Sequence, residues 1–423
     1  MSLAIFIGGV VRKSVTEVFT PRNRDVNERM YIHRERLEKE FSRALGDGRN
    51  IILLGESGNG KTWLYRKVLV GNYRFYVANC ALAGKLGSLV AVINDAVTDG
   101  QVSMQVGYKT VKKVGGGIPK IAEGGLQQDN EFIIQRESLL AETLRRAAAG
   151  VVSAPIIVFE NLEVIFSSPE FMAELASLIL LLDDPKYSEF GIKFLIVGTP
   201  SGVIEYFSKV PNSDSVSNRL IELPKVTGLS EKQVSEFVKK GYVGELGLSL
   251  SDADLITISD HVSNVTLGIA QRVHEYCKYL GYCIEDNDGR YDASLLADAD
   301  RRWMAEGMRH SYFVVSSRLG RSINVTSRKD QVIFAIGLIR GHMLDAGMIE
   351  TVVRANFQDA QRVVNLGVAA ILRDLSRGDN PLLVLNGGGK YRVADPRYLM
   401  CIRLIVVKSR SEGKIIKKVF SIN

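Results

Sequence analysis

The chain has 423 residues, 46% apolar and 24% charged. That length allows two or three domains with a core each, and the composition excludes a disordered or fibrous chain. The net charge of +7 is unevenly spread. Residues 301–423 hold 21 Lys+Arg against 9 Asp+Glu, a balance of +12, while the first 300 hold 33 against 38, a balance of −5. A basic module behind a slightly acidic one suits contact with a polyanion such as nucleic acid, and equally suits a solvated face with no partner.

The four cysteines, Cys80, Cys277, Cys283 and Cys401, form no CxxC pair and have no His cluster beside them, which argues against a zinc site or a disulfide framework. They fit reduced thiols in the cytosol. The longest apolar stretches, near residues 156, 180 and 195, are far shorter than the ~18 residues that span a bilayer. At the N-terminus, "MSLAIFIGGVV" has no positive residue ahead of its apolar part and no small-residue cleavage site, so it reads as a first strand.

Next in the chain, "NIILL" (Asn50–Leu54) reads as a buried parallel strand, and the segment from Lys61 reads as a helix. Between them "GESGNGKT" fits the pattern GxxxxGK[ST] in the strand–turn–helix context it requires. Gly55, Gly58 and Gly60 let the main chain curl so that its N–H groups converge at a helix N-terminus, an anion nest. The candidate nucleotide contacts are therefore Gly55, Glu56, Ser57, Gly58, Asn59, Gly60, Lys61, Thr62 and Trp63. Lys61 reaches the outer phosphates and the Thr62 hydroxyl ligates Mg²⁺. ATP and Mg²⁺ are the expected cofactors.

Residues 101–129 alternate apolar and polar side chains around a glycine triplet, which predicts a projecting β-hairpin. It carries Lys109, Lys112, Lys113 and Lys120, suited either to nucleic-acid phosphates or to plain solvation. Residues 130–150 carry the apolar stripe of a helix. "APIIVFENLEVIF" (154–166) is a strand closing on acids, with Glu160 at its C-terminal end as the carboxylate that serves the metal. A third strand ends at Thr199, from where a side chain can touch the γ-phosphate or the attacking water.

This order of motifs resembles the AAA+ ATPases, in the clade of origin-recognition initiators, bacterial transposition ATPases and STAND-type signalling ATPases. The resemblance covers residues 15–285 and continues into a winged-helix ending. It implies an α/β fold: a P-loop AAA+ parallel sheet sandwiched by helices, a small helical lid and a C-terminal winged-helix domain. "YIHRERLEKEFSRAL" resembles the family's adenine-packing segment, which places Tyr31 and Ile32 near the base. Arg219, in "SVSNRLIELPKV", sits where an arginine finger is commonly carried. "NVTLGIAQRVHEYC" is similar to the sensor-2 helix, with Arg272 reading the γ-phosphate from the lid. Such arginines stabilise charge on the transferred phosphoryl group, and one supplied by a neighbouring subunit couples hydrolysis to assembly.

One departure matters. The family's second motif ends in two acids, the first for the metal and the second to polarise water, and here the pair is Glu160 and Asn161. An amide takes no proton from water. Glu163, or Glu160 itself with Phe159 shifted into the metal position, are the substitutes, and either way slow hydrolysis is expected.

The expected organisation is a core over 1–226, a lid over 227–285, a polar linker over 286–312 with one short helix, and a winged-helix domain over 313–423. Helices near 327–344 and 347–356, a third over 357–378 and a hairpin about "NGGGK" make up that last domain. Arg362, Arg373, Arg377, Lys390 and Arg392 are its candidate nucleic-acid contacts, supplemented by the five cations after Arg403 in the tail. The whole reads as an ATP-dependent oligomerising switch, in a ring or filament, that binds nucleic acid or recruits a partner protein. The alternative is a STAND-type signalling or anti-phage defence ATPase whose assembly activates a separate effector without DNA. A small-molecule kinase is disfavoured because the lid and winged helix would have no role.

Overall fold

The computed structural model describes residues 13–102, 139–150, 153–199, 213–320, 327–339, 343–409 and 414–420. They divide into two compact units, a sheet unit of residues 24–26 and 33–227 and a C-terminal unit of residues 13–23, 27–32 and 228 onward.

The sheet unit is built on five parallel strands in the order β2-β3-β4-β1-β5. They are β1 Asn50–Leu54, β2 Phe75–Asn79, β3 Ile156–Glu160, β4 Lys193–Gly198 and β5 Leu220–Glu222. Continuous apolar runs such as "NIILL" suit strands covered on both faces, and the period of two sorts their side chains between two cores. Ile51, Leu53, Val158 and Leu195 pack with helices α1 (Glu35–Gly46) and α2 (Lys61–Leu69). Ile52, Leu54, Phe159 and Ile196 pack with α3 (Leu89–Val102) and α4 (Pro169–Leu181) on the other face. The open carbonyls at the C-terminus of α1 are closed from the sheet. Buried Lys193 donates to the carbonyls of Ala44, Leu45 and Asp47, satisfying acceptors that a helix end leaves orphaned. Residues 139–148 are helical, as their apolar stripe requires. The hairpin expected at 101–129 begins inside α3, which runs to Val102. Its remainder, with Lys109, Lys112, Lys113 and Lys120, lies outside the described residues, as does the first strand expected at the N-terminus.

In the C-terminal unit the helices are α5 Glu231–Lys239, α6 Asp252–Thr266, α7 Ala270–Asp286, α8 Leu295–Arg302, α9 Arg309–Arg318, α10 Arg328–Leu338, α11 Ala346–Asn356, α12 Val368–Leu375 and α13 Pro396–Ile405. Ser230, Ser251 and Ser327 head α5, α6 and α10 with capping boxes, each hydroxyl accepting the N3 amide while the N3 side chain returns to the cap. One apolar core runs through these nine helices and takes in Val15, Val18, Phe19, Met30 and Ile32 from the N-terminal segment. Those residues therefore belong with this unit and not with the sheet, to which their place in chain order assigns them.

Three further expectations differ from what is seen. The linker over 286–312 is core: Ala299, Trp303 and Met304 are fully buried, and Asp300 accepts from His261 Nε2 and the Tyr276 hydroxyl, both at 2.8 Å. The segment looks polar because its remaining charges, such as Asp298 and Arg301, face outward and pair with each other at 3.0 Å. The stretch "NVTLGIAQRVHEYC" is not one helix, since α6 ends at Thr266 and Leu267 and Gly268 adopt positive φ before α7. The third helix over 357–378 is two pieces, Gln358–Gln361 and α12, separated at 362–367.

The order α10, α11, α12 followed by the antiparallel hairpin β6 (Leu383–Leu385) and β7 (Tyr391–Val393) is that of a winged helix, and Leu344 pairs with Tyr391 as the short third strand. The tail forms a second hairpin, β8 Val406–Lys408 with β9 Ile415–Lys417. Lys417 is buried there on fully buried Asp330, at 2.8 Å, so it is a core ion pair and not a solvated cation. All four cysteines are buried, and no single helix among the described residues is long and apolar enough to cross a membrane.

Candidate nucleotide site

Between β1 and α2 the main chain takes the predicted curl. Gly58 and Gly60 have φ of 81° and 90°, values that only glycine reaches without strain, and Gly60 caps α2 in the left-handed region. Gly55 is required for another reason: a Cβ there would lie 2.6 Å from the Val226 carbonyl oxygen, because Gly55 pairs directly with Val226. Lys61 heads α2 and its Nζ donates to the carbonyls of Gly55 at 2.7 Å and Glu56 at 3.1 Å. Burial pushes the ammonium below its ordinary pKa, and the charges of Glu163, then Glu56 and Glu160, oppose that. Glu56 and Ser57 are exposed at the crest of the loop, and Trp63 is half-buried on the first turn of α2.

The parallel topology sets the second half of the site. β4 lies between β1 and β3, so Thr199, directly after β4, emerges between the glycine-rich loop and Glu160 at the end of β3. The Thr62 hydroxyl donates to Glu160 Oε1 at 2.9 Å, and the Tyr65 hydroxyl donates to the same oxygen at 3.0 Å. Burial, then the Glu160 charge, pushes the Tyr65 phenol up, so it remains a donor. Tyr65 is not among the residues the motifs point to. Its place one helical turn after Thr62 is the signal that could have found it.

These contacts fix the register left open by the sequence. Glu160 meets the Thr62 hydroxyl, while Phe159 is fully buried and edge-on to Phe194 at 5.1 Å, so it is Glu160 and not Phe159 that stands at the head of α2. Asn161 follows with φ of 58° and donates Nδ2 to Asn79 Oδ1 at 2.8 Å. Glu163 is exposed on the single turn Leu162–Val164.

Residues 44–207 match the family model of the AAA domain. This segment is an AAA domain. No curated protein matches the sequence. Among solved structures, the chain is similar to the Walker-type ATPase of Pyrococcus abyssi, with TM-score 0.50 and 15% identity over 88% of this chain and 96% of that one. It is similar to Cdc6p of Pyrobaculum aerophilum, with TM-score 0.45 and 16% identity over 92% and 97%. ORC1 of Aeropyrum pernix, solved in complex with DNA, matches with TM-score 0.46 and 16% identity over 93% and 96%. At 15% identity and TM-score 0.50, the likeness to the Pyrococcus abyssi protein is one of fold.

The remaining candidates lie away from the loop of the AAA domain or in the other unit. Arg219 immediately precedes β5, and its carbonyl accepts from Asn50 N, at the start of β1. The loop leaves the opposite end of β1, four residue rises or about 13 Å away. The Arg219 guanidinium is held by Asp183 and by the Ser215 carbonyl. Arg272, on α7, pairs with buried Glu275, which also accepts from Trp303 Nε1 at 3.2 Å. Tyr31 and Ile32 are buried in the C-terminal unit, where the Tyr31 carbonyl accepts from Lys240 Nζ at 2.9 Å. Arg362, Arg373, Arg377, Lys390 and Arg392 are all exposed, and none forms an ion pair among the described residues.

Proposed function

We propose that the chain is an ATP-dependent switch of the cytosol that turns over slowly, assembles into a homo-oligomer and engages duplex DNA through its C-terminal unit. The observation that carries this reading is the Thr62–Glu160 pair beside an asparagine at 161. The hydroxyl and the carboxylate are hard oxygen donors at the head of the phosphate loop, a set that fits Mg²⁺, which when bound neutralises charge on the phosphate oxygens. Thr62 and Glu160 would hold it. Glu160 is thereby committed to the metal side, and with Asn161 unable to accept a proton, the acid left to polarise water is Glu163. Its charge acts on Lys61 more strongly than those of Glu56 and Glu160.

Tyr65 holds Glu160 from behind. Tyr65→Phe removes one of two donors from that carboxylate at a cost of about 1 kcal/mol. In steady-state hydrolysis we expect kcat to fall about fivefold with KM unchanged.

Assembly is supported by Arg219. At the far end of β1 it is out of reach of its own phosphate loop, so a role on phosphate requires a neighbouring protomer. DNA contact is supported by the five exposed cations of the winged helix. With a non-hydrolysable ATP analogue, the particle mass should rise above that of the monomer. Duplex binding should weaken with salt with a log–log slope of about −4.5, from about five phosphate contacts. Unchanged mass with and without nucleotide would defeat the proposal.

A second reading, the STAND-type switch acting on a separate effector protein, is favoured by one feature. Val364 is 97% exposed in the turn before α12, with Val363 beside it and Ala369 and Ala370 on the outward face of α12. Those positions offer no donor or acceptor to base edges. ATP-driven oligomers that bind no DNA at low salt would select this reading.

A further inference from the structure

Arg34 enters none of the roles above, yet it touches the phosphate loop. It is the N-cap residue of α1, next to His33, where the chain passes from the C-terminal unit into the sheet unit. Its backbone is fixed: Arg34 N donates to Glu38 Oε1 at 2.7 Å, and Glu38 Oε2 meets His33 Nδ1 at 3.1 Å. Its guanidinium donates to two carbonyls. Nη2 donates to Asn59 O, in the phosphate loop, at 2.8 Å, and Nη1 donates to Thr227 O at 2.6 Å. Thr227 is the last residue of the sheet unit.

Peptide geometry gives the first bond a consequence. The Asn59 carbonyl and the Gly60 N–H belong to one rigid trans plane and point in opposite directions. With that carbonyl bonded to Arg34, the Gly60 N–H is held on the side of the plane away from the guanidinium. The loop is tied to the same strand by two further contacts. Asn59 Nδ2 donates to Val226 O at 3.1 Å, and Gly55 pairs with Val226. Any rotation of the Asn59–Gly60 plane is therefore resisted by, or passed to, residues 226–227.

The peptide bond after Thr227 leads to Gly228, and within the C-terminal unit this stretch is pinned in turn. Leu229 N donates to Gly268 O at 2.6 Å. The crossing is too tight for side chains: a Cβ on Gly228 would lie 2.9 Å from Gly268 O, and one on Gly268 would lie 2.2 Å from Leu229 O. Gly268 stands two residues before α7, which carries Arg272.

We propose that Arg34 is the positioning residue that couples phosphate occupancy of the loop to residues 226–229 and, through the Gly228–Gly268 crossing, to the head of α7. The inference rests on the ATP binding proposed above. Its charged fork makes two bonds to neutral carbonyls, stronger than amide–amide bonds, and a single ammonium cannot reproduce the planar geometry.

The test uses the full chain with ATP and Mg²⁺, by calorimetry and by amide hydrogen exchange with and without nucleotide. In the wild type, ATP slows exchange at 226–232 and 266–272. Arg34→Gln lowers ATP affinity about tenfold, and at saturating ATP the protection at those two stretches is lost. Arg34→Lys restores affinity to within about threefold but not the protection, a split that a simple stabilising role would not give. Should Arg34→Gln fail to fold, Arg34→Lys decides alone. Full protection in either folded variant at saturating ATP would overturn the coupling, as would wild-type binding with no change at 226–272. Absence of ATP binding by the wild type would instead overturn the proposed function.

Discussion

Lys61→Ala is expected to lower ATP affinity at least about a hundredfold, or about 2.7 kcal/mol, by isothermal titration. The ammonium is the one cation inside the curl of the loop among the described residues, and it is held within 3.1 Å of two loop carbonyls at the mouth of the nest. Backbone N–H groups alone supply partial charges, whereas the outer phosphates need a full one, and a desolvated charge is worth more than a solvated one. Burial already presses on the ammonium, and three carboxylates keep it charged. The variant should fold, because removing Lys61 frees one exposed carbonyl, of Glu56, and one part-buried carbonyl, of Gly55, and buries nothing new. Lys61→Arg keeps the charge but not the compact head, and should recover only part of the affinity. If Lys61→Ala binds within about threefold of the wild type, the triphosphate is not held at this loop.

The parts of this site that were legible in the sequence are those fixed by local backbone rules. A run of five apolar residues before a glycine-rich turn allows one strand and one curl, and the glycines at 58 and 60 do adopt positive φ. Glu160 was legible because a buried apolar strand ends where its first acid reaches the C-terminal rim of the sheet. Tyr65 and Arg34 were not, because what they do depends on which carboxylate or carbonyl the fold brings opposite them. The misread linker shows the same limit from the other side. Asp300 and His261 look solvated in sequence, and only the packing of Trp303 and Tyr276, ring centroids 5.2 Å apart, turns their pair inward. Lys417 counts as one more basic residue of the tail until β9 places it on Asp330. Periodicity reports which face of an element is apolar, and it is silent on which polar residue finds a partner across the core.

Asn161→Asp is expected to raise kcat for ATP hydrolysis about tenfold or more while KM stays within about twofold. Two geometric facts make the position suitable. Asn161 has φ of 58°, a conformation that aspartate tolerates nearly as well as asparagine, so the backbone can stay in place. Its side chain is also exposed and next to Glu160, where a carboxylate meets solvent on the phosphate side of the strand end. A general base in such a place contributes about a hundredfold or more to hydrolysis. The gain is smaller here because Asn79 opposes it. Asn79 Oδ1 now accepts from Asn161 Nδ2 and from Ala81 N at 3.1 Å, and facing a carboxylate it would repel it. The introduced carboxylate must then turn from Asn79 toward water, at a loss of about 1 kcal/mol of stability for the missing bond. Glu163→Gln supplies the matching control in the same assay. If Glu163 is the acid that sustains the slow wild-type reaction, its removal should abolish turnover in the wild-type background and be largely tolerated alongside Asn161→Asp. A kcat that Asn161→Asp leaves unchanged would mean that chemistry is not the slow step, and that the asparagine is retained for its bond to Asn79 rather than to restrain hydrolysis.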